Sequence, residues 1–153
     1  MAIRTRVKIT DVDRGLAKVL ALADEPKRTI RLGWDEESGE EHGVSMVELA
    51  VVHDLGTATV PARHPLLRAS NAVSPQVERQ LEKLAAGALG KGQKLAKGMG
   101  KLARETEQAA REYLRGGPYL TPPLDSKTVE AKGQARPLLD TGALIEALKA
   151  EVK

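Results

Sequence analysis

The sequence predicts an α+β fold: a small, mainly antiparallel sheet packed by several helices, with a long helical segment in the middle. Three observations predict it. Two short alternating runs, TRVKIT and KRTIRLGW, stand near the start, and period-two patterning marks strands. Residues 74–116 instead carry apolar side chains at helical spacing. The core must be aliphatic, because the 153 residues include no Phe, one Trp and two Tyr. That length suits one domain, taken as 1–153. So few aromatics also leave little with which to line a small-molecule pocket.

Each element follows in order. TRVKIT gives a first strand. In TDVDRGLAKVLALAD, Thr10 or Asp11 caps a helix with Val12, Leu16, Val19, Leu20 and Ala23 along one line, and Pro26 ends it. KRTIRLGW is a second strand with Ile30, Leu32 and Trp34 on one side. The acidic, Gly-punctuated DEESGEEHG reads as a solvated turn. Ser45 with Glu48 three residues on is the capping-box pattern for a helix over VSMVELAVVHDLG, and Gly56 supplies the positive-φ stop. After a Pro-rich loop, Ser74 and Pro75 fit the N-cap and first position of a helix with Val77, Leu81, Leu84 and Ala88 on one line. Gly90 and Gly92 mark a break. The next helix sets Leu95, Met99, Leu102, Thr106, Ala109 and Tyr113 on one face and Lys94, Lys97, Lys101, Arg104, Arg111 and Arg115 on the other. Gly116-Gly117-Pro118 stops it. Residues 117–137 read as a Pro-rich loop with one helical turn after Asp125. Asp140 or Thr141 caps a last short helix, and LKAEVK has the pattern to turn into a strand.

Composition narrows the chemistry. A net charge of +3 is mildly basic and short of a dedicated nucleic-acid binder. The lack of Cys excludes disulfides, thiol catalysis and thiolate metal sites. The N-terminal residues hold no apolar core of signal-peptide length, and no run approaches the roughly 18 to 20 apolar residues of a membrane span. A cytoplasmic site of synthesis and no membrane partner are therefore expected.

Three constellations invite functional readings. His53-Asp54 has the residue types of a metal site that activates water, but such a site needs further ligands, and only His42 and His64 remain. Adjacent helical residues also point about 100° apart, so the pair cannot chelate as a unit. A partly buried His in the last helical turn, favoured by the helix C-terminus, is the simpler account. The six cations of residues 94–115 have the layout to follow a phosphate backbone, or else form a solvated helix face. The stacking aromatics of a single-strand binder are missing. GKGQKLAKGMGK has neither the spacing nor the preceding strand of a phosphate loop. No catalytic residue, cofactor or metal is expected.

Two distant blocks remain. One contains Asp54-Leu55-Gly56-Thr57, Val60-Pro61-Ala62-Arg63 and Leu66-Leu67-Arg68. The other contains Pro123-Leu124 with Thr128, Lys132, and Pro137-Leu138-Leu139-Asp140-Thr141-Gly142-Ala143-Leu144. Together, over about a third of the chain, they resemble the tail-completion, or virion-morphogenesis, proteins of tailed bacteriophages. These are small head–tail joining (neck) proteins. Here His64 is added after the Arg, Leu66 stands where Phe is usual, Asp54 replaces a Glu, and Ala147 replaces a Ser. The resemblance implies a structural virion protein assembled in the host cytoplasm. It would work as a ring, a hexamer, between the tail tube protein and the head connector, with DNA passing through. Asp54, Gly56, Thr57, Pro61, Arg63, Pro65, Arg68, Leu138, Asp140, Thr141 and Gly142 would then form subunit contacts. Proline stiffening lowers the entropy lost on docking, and Arg63 offers a planar fork to a neighbour. Lys94, Lys97, Lys101, Arg104, Arg111 and Arg115 would face the DNA or the outer surface. A cytoplasmic DNA-binding accessory protein and another minor tail or neck protein are the alternatives.

Overall fold

The computed structural model describes residues 19, 28–91, 95–116, 123–133 and 142–153. The strand expected at TRVKIT and the helix expected to end at Pro26 lie outside them, Val19 apart, as do Lys94, Leu138, Asp140 and Thr141.

Two small antiparallel sheets and five helices account for the described chain. Strand β1 (Ile30–Gly33) pairs with the terminal strand β4 (Lys149–Val152), with Ile30 opposite Val152 and Leu32 opposite Ala150. Thr29 and Lys153 extend this ladder with two further backbone bonds. The acidic segment is not a plain turn. Asp35 and Ser38 close a 3-10 turn between them, and β2 (Glu40–Glu41) pairs with β3 (Val44–Ser45) across His42-Gly43. His42 (φ 53) and Gly43 (φ 78) are both left-handed, the twist a two-residue hairpin requires. Among the described residues the antiparallel pairing thus falls into two separate two-stranded pairs.

Helix α1 (Met46–Leu55) starts as its sequence predicts: the Glu48 N–H donates to Ser45 Oγ at 3.2 Å. Helices α2 (Pro65–Lys91) and α3 (Leu95–Gly116) form a hairpin of roughly 40 and 33 Å by their residue counts. Two short helices, α4 (Ser126–Lys132) and α5 (Ala143–Glu146), follow. The core gathers Met46 and Ala50 of α1, Ala69 and Val73 of α2, Ala110 and Leu114 of α3, and Leu144, Ile145 and Leu148 near the C-terminus. Trp34 packs on it and donates from Nε1 to the Leu144 carbonyl at 2.7 Å. Most of the core therefore rests on the first third of α2 and the last third of α3. Their remaining turns run outward as an arm sealed by Met99, Leu102 and Ala103, with Gly98 close against Leu84.

The start of α2 corrects the sequence reading. The helix begins at Pro65, so the proline at the first position is Pro65 and Ser74-Pro75 lies inside. Ser74 does not cap; its hydroxyl donates to the Ser70 carbonyl at 2.8 Å. Pro75 removes the N–H that Asn71 would receive, but both residues are exposed, so water can serve that carbonyl. Burial of Ala69 and Val73 stabilises this continuous helix against its own proline. Pro75→Ala is expected to raise stability by about 1–3 kcal/mol, given the helix-interior penalty of proline. Chemical denaturation at neutral pH checks it, and an unchanged or lower midpoint would refute the account.

Candidate functional site

Gly56 directs the first block. Its N–H donates to the Val52 carbonyl at 2.9 Å, closing α1, and its φ of 77° turns the chain sharply. Its ψ of 174° is extended rather than helical, so the residue redirects the chain instead of continuing the coil. Thr57 then builds a turn: its N–H donates to the Val60 carbonyl at 2.7 Å, and its hydroxyl accepts from the N–H groups of Val60 and Thr59 at 3.0 and 3.3 Å. Past Pro61 the chain runs back along α1, and the Arg63 N–H donates to the His53 carbonyl at 2.9 Å. His64 takes a left-handed conformation (φ 50) and accepts the Arg68 N–H, starting α2.

This return path decides which loop residues face outward. Thr57 and Pro61 are exposed, while Asp54, Gly56 and Arg68 are half-buried. Arg63 and Pro65 are buried, so both are corrected from surface contacts to anchors. Arg63 retains only 2% exposure, and its Nη1 donates to the Pro61 carbonyl at 3.4 Å. Burial disfavours its charged form and lowers its pKa. The fork expected to reach a neighbour is turned inward because Arg63 is pinned through its backbone to the end of α1.

The first part of the second block, Pro123 to Thr128, meets the first block here. Asp125 caps α4 by accepting the Thr128 N–H at 2.8 Å on Oδ1 and the Thr128 hydroxyl at 3.0 Å on Oδ2. These bonds hold its pKa below the ordinary carboxylate value. Helix α4 is nearly two turns, longer than the one expected, and ends at left-handed Gly133. A cleft of about 450 Å³ separates the blocks. His53, Thr59, Val60, Pro61 and Arg63 line one side, and Pro123, Leu124, Asp125 and Thr128 line the other. Segments some sixty residues apart are thereby brought together. Gly142 (φ 85) sits at the N-cap of α5 with no side-chain cap bond, and the expected caps Asp140 and Thr141 lie outside the described residues.

The structure separates His53 from Asp54. His53 lines this cleft, whereas Asp54 lines an apolar groove beside β1, as the angle between neighbouring helical residues requires. One carboxylate oxygen of Asp54 is buried with no hydrogen-bond partner among the described residues. Among those residues no group of three or more His, Cys, Asp or Glu side chains is placed to hold a metal, and no helix is long and apolar enough to cross a membrane.

The basic stripe divides. Lys97, Lys101 and Arg104 are exposed on the arm, with Lys101 paired to Glu105 at 3.4 Å. The other two serve the C-terminus. Arg111 pairs with Glu107 at 3.0 Å and donates to the Leu148 carbonyl from Nε and Nη2 at 3.0 and 2.7 Å. Glu107 in turn accepts the Ala150 N–H at 2.9 Å, and Arg115 pairs with Glu146. Sequence reasoning set Arg111 and Arg115 with the stripe and missed this clamp; the Glu107–Arg111 spacing of four residues was its only visible sign.

These charges carry a pH prediction. The Lys149 ammonium and then the Ser38 hydroxyl lower the Asp35 pKa, and Arg115 lowers that of Glu146. Folded values below the ordinary 3.8 and 4.5 mean that the added stability is complete above those values. It is lost as the pH falls through the lower folded values. Stability should hold from neutral pH down to about 5 and then fall. In Asp35→Asn the acid limb of a circular-dichroism titration should be shallower, with the difference from wild type vanishing at the lowest pH. Parallel limbs would disprove the assignment.

Compared with protein-family models, curated proteins and solved structures, the chain matches none.

Proposed function

We propose that this chain is a structural neck protein of a tailed phage. It completes the tail and joins it to the head connector as a ring of identical subunits. The observation that supports this reading is that the first part of the second block lies across one cleft from the loop of the first block. Val60-Pro61-Ala62-Arg63 and Pro123-Leu124 with Thr128 flank one cleft, although far apart in sequence. The exposed Thr57 and Pro61 then form a stiff rim over a buried anchor, Arg63, which suits a surface that docks with little loss of entropy. Cyclic symmetry lets one such heterologous contact repeat until the ring closes. The protein acts by assembly, not by catalysis, on the tail tube protein and the head connector.

A DNA-binding accessory role is the second reading. Lys97, Lys101 and Arg104, exposed together on the arm, favour it. A different neck or minor tail position is the nearer rival. Deleting the gene from its phage and viewing lysates by negative-stain microscopy tests all three. Filled heads beside loose tails of regular length are expected; overlong tails would move the protein to length termination. Intact infectious particles would end the neck reading, and salt-dependent binding of the purified chain to random DNA would then support the accessory role.

A further inference from the structure

We propose that the outer edge of β1, with the apolar groove it shares with α1, receives an extended segment of a partner protein as an added strand. Alternate residues of that segment are apolar, and one Lys or Arg among them meets Asp54. The pairing of β1 shows which of its backbone groups remain for a partner. Thr29 and Lys153 exchange both of their N–H to carbonyl bonds, at 2.7 and 2.9 Å. Antiparallel pairs alternate between bonded and non-bonded, so Arg31–Glu151 and Gly33–Lys149 are bonded pairs as well. Ile30 and Leu32 fall on the intervening pairs, and their N–H and carbonyl groups point away from β4. Among the described residues β1 pairs with β4 alone.

The same alternation turns Ala150 outward on the other strand, and there the edge is closed. Glu107 accepts the Ala150 N–H at 2.9 Å, and Arg111 holds the nearby Leu148 carbonyl. Proteins blunt exposed edges with charges, prolines or bulges, because an open edge templates pairing. The outward positions of β1 carry neither charge nor proline, and its register has no bulge.

The groove beside this edge sets the side chains of the incoming strand. It measures about 390 Å³ and is lined by Trp34, Val47, Val51 and Leu55. Val51 is 49% and Leu55 70% exposed, and nothing lies within 4 Å of a Cβ placed on Gly33. Successive strand residues point to opposite faces, so every second residue enters the groove and meets apolar surface. Asp54 is the exception in that lining, with one carboxylate oxygen buried and without a hydrogen-bond partner. Such an acceptor costs free energy until a donor reaches it, and a cation on the added strand supplies one. Backbone pairing then gives affinity, and the alternate side chains give specificity. This proposal does not depend on the neck reading.

The probe is a random library of acetylated heptapeptide amides on beads, screened with the full chain. Seven extended residues span about 23 Å, enough to cover the edge. Bound sequences should alternate apolar residues and share one Lys or Arg in phase with them. The resynthesised consensus peptide should bind Asp54→Asn at least about tenfold more weakly in fluorescence anisotropy, as loss of a charged hydrogen bond implies. N-methylating the peptide at one set of alternate residues should abolish binding, and at the other set should leave it. Ile30→Pro deletes an outward donor without touching the ladder to β4, so it should weaken binding with an unchanged circular-dichroism spectrum. The N-methyl scan needs no variant and decides the matter if Ile30→Pro fails to fold. No enrichment, an acidic consensus, equal affinity for Asp54→Asn or indifference to N-methylation would each overturn the proposal. So would a dimer in sedimentation equilibrium that Ile30→Pro dissociates, which would assign the edge to a second copy.

Discussion

Gly56→Ala should destabilise the protein by about 2–4 kcal/mol, because two penalties coincide at that residue. A side chain at a φ of 77° is strained whatever space surrounds it. Here there is also no space: a Cβ would lie 2.7 Å from the Ala62 nitrogen and 2.9 Å from the Val60 carbonyl oxygen. Both neighbours are backbone and belong to the loop that Gly56 turns. Relief would require the loop to lift from α1, breaking the Arg63–His53 backbone bond and exposing buried Arg63. Equilibrium urea denaturation gives the stability change. Gly133→Ala is the control, since Gly133 also has positive φ but nothing within 4 Å of its Cβ position. It should cost only the conformational strain. Equal losses in the two variants would show that contact with the loop contributes nothing at Gly56.

Leu148→Ala should cost about 2–5 kcal/mol, although the residue lies five positions from the end of the sequence. Leu148 has no exposed surface and packs in the same cluster as Met46, Leu114 and Ile145. Its carbonyl is held by both Arg111 donors, so the backbone has little freedom to close the cavity. A thermal midpoint lowered by roughly 10 °C is expected for a chain of this size. A shift within about 2 °C would mean that the C-terminal segment is not part of the cooperative core. Ala147→Gly, one residue earlier and half-buried, should have a much smaller effect.

The candidate site was partly legible. The Ser45 cap, the Gly56 stop, the helical turn after Asp125 and the buried line through Met99, Leu102 and Thr106 were all readable, because each depends on neighbours within a few positions along the chain. The start of α2 was not. Ser74-Pro75 is a good local start signal, and it was overridden because Pro65 is itself a compatible first residue and Ala69 and Val73 are buried only if the helix runs through. The acidic hairpin was hidden because its strands are two residues each, too short for an alternating pattern.

Local sequence thus settles which stretches coil, extend and stop, since caps, prolines and apolar periodicity act over four residues or fewer. The same stretches hold the residues of the loops in the order that carries the resemblance. Direction is another matter. Arg63 reads as a surface fork, and it is buried because the chain returns to the His53 carbonyl. Arg111 reads as part of a basic stripe, and it clamps Leu148 because the terminal segment lies against that end of α3. Both outcomes depend on contacts across ten and thirty-seven positions, which burial and packing fix and periodicity does not record.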